Sequence, residues 1–186
     1  MVSVMSLWLP ILLSAVIVFV VSSIIHMVLT YHRNDFQKLP REEEIMASLR
    51  PYDLPPGEYV APYAGSMKVM NDPAFVESMK AGPVALMTVM PNGPASIGSS
   101  LVQWFLYSIL VSIFAAYIAG SALPAGASYL AVFRLAGCAA LIGYALALIQ
   151  NSIWYKRKWS TTLKQIIDGL IYGLMTAGTF GWLWPR

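Results

Sequence analysis

Charge is what this sequence has least of. Only 11% of its 186 residues are Asp, Glu, Lys or Arg, less than half the roughly 25% typical of a soluble domain. The few charges are clustered, which leaves long uncharged stretches, and 58% of the residues are hydrophobic. This composition excludes an ordinary soluble domain and predicts a membrane protein. Cysteine is almost absent. The single Cys138, in the middle of an apolar run, rules out a disulfide within the chain and is expected to pack, buried, as a small hydrophobe. Histidine occurs only at His26 and His32. On one continuous helix that spacing puts the two rings on different faces, so a two-histidine haem would need a helix break or a second chain.

Familiar chemistry is missing as well. The sequence has no phosphate loop with a Gly-Lys pair, no G-x-G-x-x-G, no H-E-x-x-H and no G-x-S-x-G elbow. Ten methionines raise the question of copper. Met67, Met70, Met79, Met87 and Met90, however, are scattered through a proline-rich stretch without a repeated motif, which fits ordinary membrane-facing methionine. Neither a metal nor any other cofactor is expected. The net charge of +3 reads as loop charge that sets topology, with no nucleic-acid partner.

What is present is apolar length. A helix needs about 20 apolar residues to cross about 30 Å of hydrocarbon. Four segments qualify, at about 7–31, 101–120, 129–149 and 166–184. The fold class expected is all-α, a four-helix transmembrane bundle forming a single integral membrane domain over 1–186. The first segment has no Lys or Arg before it and is too long for an ordinary signal sequence, so a retained anchor is expected. The connection from 32 to 98 carries Arg33, Lys38, Arg41, Arg50, Lys68 and Lys80. The connection between the third and fourth spans carries Lys156, Arg157, Lys158 and Lys164, whereas "SALPAGAS" between the second and third has none. The excess of basic residues on one side makes that side cytoplasmic and puts both termini outside.

The long connection contains nine of the chain's twelve prolines and reads as a cytoplasmic flap with only short helices. Arg41 to Arg50 is the best of these, with acids in its first turn and an arginine in its last. A second is expected after Pro73. Tyr52, Tyr59 and Tyr63 are placed against the headgroup layer. The stretch "GPVALMTVMPNGP" is apolar enough to press into the membrane, but too short to cross it.

Small residues recur every fourth position in three spans: Ser108, Ser112, Ala116 and Gly120; Ala139, Gly143 and Ala147; Gly169, Gly173, Ala177 and Gly181. Such ladders permit close backbone approach, within a bundle or against another chain. Trp8, Trp182 and Trp184 mark one membrane interface, and Trp104, Trp154 and Trp159 the other.

Asp168 stands inside the fourth span, where an unpartnered acid is costly. Alternating spans bring His26, Gln103, Gln150, Asn151 and Asp168 to one side of the membrane at similar depth. His26 is the expected partner of Asp168, with the Lys156–Lys158 cluster as the rival. The pair would serve as a proton relay or a headgroup site, or would simply fix helix packing. Arg134, near the outer end of the third span, is too distant to reach Asp168. The C-terminal carboxylate, or the faces of Trp182 and Trp184, are its expected neighbours.

As a set, "IIHMVLTYHRNDFQKLP" (24–40), "AGPVALMTVMPNGP" (81–94) and "DGLIYGLMTAGTFGWLWP" (168–185) resemble a group of small bacterial inner-membrane proteins to which no activity is attached. The resemblance implies a bacterial source and a complete chain, and brings no active site with it. The function expected is non-enzymatic: an accessory, assembly or stabilising subunit, with the lipid bilayer and a membrane-protein partner or a second copy as its neighbours. The alternatives are a transporter or channel component moving protons or a small solute, and an enzyme handling a lipid or quinone.

Overall fold

The computed structural model describes residues 1–94 and 96–186, and the chain is mostly helical. A 3-10 turn, Val4–Leu7, opens on Ser3, whose hydroxyl accepts from the Met5 amide, and leads into helix α1, Trp8–Ser23. The helix widens into a π-turn, Ile24–Val28, and stops at Leu29, whose backbone is extended (φ −76°, ψ 145°). The first helical segment is thus shorter at its far end than the sequence suggests. After the connection come α5, Ile97–Ala122, and α6, Tyr129–Tyr144. Pro124 explains the end of α5, because a residue preceding proline is pushed out of helical geometry, and Leu123 is extended. Ser128 caps α6 by accepting from the Ala131 amide. Past a break at Ala145 and a 3-10 turn, Leu146–Leu148, the chain continues as α7, Ile149–Trp154, and then α8, Trp159–Trp182.

Three helical stretches are long and apolar enough to cross a membrane: Val4–Val28, Ile97–Ala122 and Tyr129–Trp154. Helix α8 is long enough at 24 residues, about 36 Å, but its first half is more polar than the others. The four long helices close a ring, α1 against α5, α5 against α6, α6 against α8 and α8 against α1. One half of the ring interior is apolar, built from Leu7, Ile11, Ala115, Ala116, Ala119, Val132, Ala136, Phe180 and Trp184. The other half mixes Val18, Ile25, Val111 and Ala140 with Tyr144 and Tyr172. Between them, the Ser14 hydroxyl meets that of Ser112 at 2.9 Å, fully buried.

The small-residue ladders are largely consumed inside this ring. A Cβ on Gly169 would come within 2.6 Å of the Ala145 Cβ, on Gly181 within 2.7 Å of the Tyr129 ring, and on Gly120 within 2.5 Å of the Val2 carbonyl oxygen. Ser108, Ser112, Ala116 and Gly120 are all buried, as are Gly169, Gly173 and Ala177. In α6 the buried row is Val132, Ala136, Ala140 and Tyr144. Of the ladder expected there, Gly143 packs on Val111, Ala139 is half-buried and Ala147 is exposed beyond the break. Cys138 corrects an expectation: it is exposed, on the outer face of α6. Two of the tryptophans assigned to the interfaces also tie the chain together. Trp104 donates to the Ser22 hydroxyl at 2.8 Å, and Trp184, buried, donates to the Pro124 carbonyl at 2.9 Å. Trp8, Trp154, Trp159 and Trp182 stay exposed.

Contacts divide the chain into two compact units, one of residues Met1–Phe36 with Ser96–Arg186, the other Gln37–Ala95. The second contains helices α2 (Glu42–Leu49), α3 (Met67–Met70) and α4 (Pro73–Ala81), the last capped by the Asp72 carboxylate with Pro73 behind it. It also contains a sheet the sequence reading did not anticipate. Strand β1, Gly57–Ala61, pairs antiparallel with β2, Ala85–Val89, in the register Gly57 to Val89 and Ala61 to Ala85. Within the stretch read as pressing into the membrane, Ala85–Val89 is a strand, and its alternation of half-buried and exposed residues is the period of two that a strand imposes.

Candidate functional site

Residues 29–36 turn back on the end of α1. Extended Leu29 is followed by two hydrogen-bonded turns, Arg33 N–H to the Thr30 carbonyl at 3.1 Å and Asp35 N–H to the His32 carbonyl at 3.0 Å. The reversal undoes the helical separation of the histidines. Their rings stack with centroids 4.4 Å apart, and Tyr31 flanks His32 at 4.1 Å. Facing them, α8 presents Lys164, Asp168 and Tyr172. Spacing of four keeps these three on one side of the helix.

The resulting network is continuous. The Lys164 ammonium donates to Asp35 Oδ1 at 2.7 Å and also to the Tyr31 carbonyl. Asp35 Oδ2 lies 2.7 Å from His32 Nδ1, and His32 Nε2 lies 2.9 Å from Asp168 Oδ2. His26 Nε2 is 4.0 Å from the same Asp168 oxygen and 3.4 Å from the Tyr172 hydroxyl. Asp168 is 2% exposed, and its Oδ1 has no hydrogen-bond partner among the described residues. His26 keeps about half of its side chain exposed and lines a groove of about 310 Å³ with Ser22, Ser23, Met27, Ser100, Leu101 and Trp104.

Proton counting limits what this arrangement can be. A neutral imidazole has one N–H and one lone pair, yet His32 stands between two carboxylates. The contacts are satisfied if His32 is an imidazolium donating to both, or if Asp168 is protonated and donates to Nε2. Otherwise a cation must separate two facing lone pairs. At Asp35, burial by itself would raise the carboxyl. The hydrogen bonds from His32 and Lys164, with the Lys164 charge behind them, outweigh it and hold Asp35 below its ordinary value of 3.8.

Beyond Tyr172 the polar character continues for about two turns and then ends. Tyr144 donates to the Ser108 carbonyl at 3.5 Å, Thr176 to the Tyr172 carbonyl at 3.0 Å, and Ser14 meets Ser112. The next layer is the apolar half of the ring, closed by Leu7, Phe180 and the alanines of α5.

Of the residues singled out in the sequence, His26 and Asp168 come together. Gln103 does not join them: it is exposed and donates to the Ser99 hydroxyl at 3.3 Å. Gln150, exposed, and Asn151 lie in α7, and the hydrogen bonds of Asp168 go to neither. The Lys156–Lys158 cluster is not its partner either. Lys156 binds the Ile153 carbonyl, and the lysine that enters the network is Lys164, through Asp35. Arg134 is exposed along the groove formed by Phe133, Gly137, Cys138, Leu170 and Leu174. It makes no ion pair with the C-terminus or stack on Trp182 or Trp184 among the described residues. Sequence reasoning missed His32, Asp35, Lys164 and Tyr172. Their signal was the polar run "TYHRND" directly after an apolar helix, together with the fourfold spacing of Lys164, Asp168 and Tyr172.

No known family, curated protein or solved structure matches the chain. Its functional reading therefore rests on this geometry.

Proposed function

We propose that the chain is a non-enzymatic accessory subunit of a larger membrane complex, in which four helices span a bacterial inner membrane and the 37–95 unit engages a partner on the cytoplasmic side. The observation that carries this reading is a unit without a core. No described residue between 37 and 94 is buried, although the unit has folded helices and a two-stranded antiparallel sheet. A sheet of two strands is marginal unless something covers its apolar side. Val60, Tyr63, Met67, Met70, Phe75, Met79 and Val84 line an open groove of about 510 Å³ in that unit. Methionine-rich grooves adapt to apolar segments of a partner, and both edges of the two-stranded sheet are unpaired among the described residues.

The two faces of α8 support a fourth span. Leu163, Ile167, Leu170 and Leu174 form an exposed apolar stripe, while Thr162, Asp168, Tyr172 and Thr176 point inward. An apolar exterior around a polar interior is the arrangement lipid favours. The basic residues at the histidine end of the helices put that end in the cytoplasm and both termini outside.

The test is affinity purification from the native membrane at native expression, followed by mass spectrometry. A stoichiometric membrane-protein partner, lost when Met70 and Phe75 are replaced by Glu, supports the reading. Recovery of the chain alone, or only with itself, overturns it. The transport alternative is disfavoured by the apolar layer that ends the polar line.

A further inference from the structure

We infer that His26, His32 and Asp168 form a binding site for a divalent transition-metal cation, a role independent of the partner reading above. Their ligating atoms, two imidazole nitrogens and a carboxylate oxygen, all lie within 4.8 Å of one another. Zinc takes such ligands at about 2.0–2.1 Å in tetrahedral geometry, which places ligand atoms about 3.3 Å apart. The observed separations from Asp168 Oδ2, 2.9 Å to His32 and 4.0 Å to His26, bracket that value, and the two stacked imidazoles, whose planes stand 28° apart, turn toward each other to direct both lone pairs at one ion.

Three further observations point to a cation. Asp35 Oδ2 lies 2.7 Å from His32 Nδ1, the outer-shell contact that in metal sites holds a histidine in the tautomer whose other nitrogen takes the ion. Asp168, buried and with Oδ1 unpartnered, keeps a second oxygen free to complete a bidentate or water-bridged contact. Two carboxylates, Asp35 and Asp168, flank His32 and face one ammonium, that of Lys164. The donor set of two imidazoles and one carboxylate suits Zn²⁺, Co²⁺ or Fe²⁺ rather than Ca²⁺ or Mg²⁺. Three protein ligands leave a position open, and the half-exposed His26 beside its groove gives access.

The experiment uses full-length protein purified in detergent without a polyhistidine tag. Zn²⁺ and Co²⁺ are titrated, with metal content, the Co²⁺ visible spectrum and X-ray absorption of the Zn²⁺ form as readouts. One metal per chain is expected, with two imidazoles in its coordination shell. Because the chain has only two histidines, that signature identifies both. Asp168→Asn and His32→Ala should lose binding, and Asp35→Asn should weaken it by about 10- to 100-fold. Gln103→Ala should leave it unchanged. If a variant fails to fold, the wild-type absorption data decide alone. Absence of stoichiometric metal in the wild type, or metal bound without two imidazoles, overturns the proposal and leaves a proton between His32 and Asp168.

Discussion

Asp168 finds its closest partner, His32, in a segment outside its own helix. Asp168→Ala would leave His32 without its second acceptor and α8 without its tie to the 29–36 turn. A loss of about 2 kcal/mol is expected, typical of a hydrogen bond to a charged group, and the unfolding midpoint in mixed micelles measures it. Asp35 makes the neighbouring prediction. Its folded value lies below 3.8, so the stability it contributes is fully present above that pH and is lost as pH falls through the lower folded value. Thermal unfolding followed from neutral to acid pH should show this loss in the wild type. In Asp35→Asn the same acid step should be reduced, with lower stability at neutral pH.

Among the elements, the contact of α6 with α8 is the closest, and glycine makes it possible. Gly169 sits against the break at Ala145 with no room for a methyl group. Gly169→Ala should therefore destabilise by about 1–3 kcal/mol through overpacking. Gly178, on the same helix, has only the Tyr129 hydroxyl near its missing Cβ, at 3.7 Å. Gly178→Ala should be neutral or slightly stabilising, because alanine is the better helix former. Equal effects of the two substitutions, in the same denaturation assay, would count against the packing described here.

At the scale of the whole molecule, thiol labelling tests the topology. With Cys138→Ala as background, cysteine replacing Ser66 should be shielded from an impermeant reagent in intact cells, and cysteine replacing Ser121 should react. Labelling of the Ser66 position from outside would reverse the orientation and with it the side on which the 37–95 unit seeks a partner. The background substitution is mild, since Cys138 lies on the exposed face of α6.

How far the sequence could be read depended on the range of the forces involved. Hydrophobic length and local charge fix a helix and the ends it can reach, so the long apolar segments, the short helix beginning near Pro73 and the common end of His26 and Asp168 were legible. Pairing across distance was not. The strand at Ala85–Val89 exists because Gly57–Ala61 lies beside it, and period-two alternation over five residues is too short to announce that alone. His32 joined the site only because the helix stops at Leu29, and Lys164 joined it through Asp35, not directly. The sequence by itself determined an apolar, mostly helical chain with one buried acid. Only the tertiary structure decided which side chains that acid meets, because the chain reversal after α1 brings two histidines from different helical faces into one stacked pair beside a carboxylate.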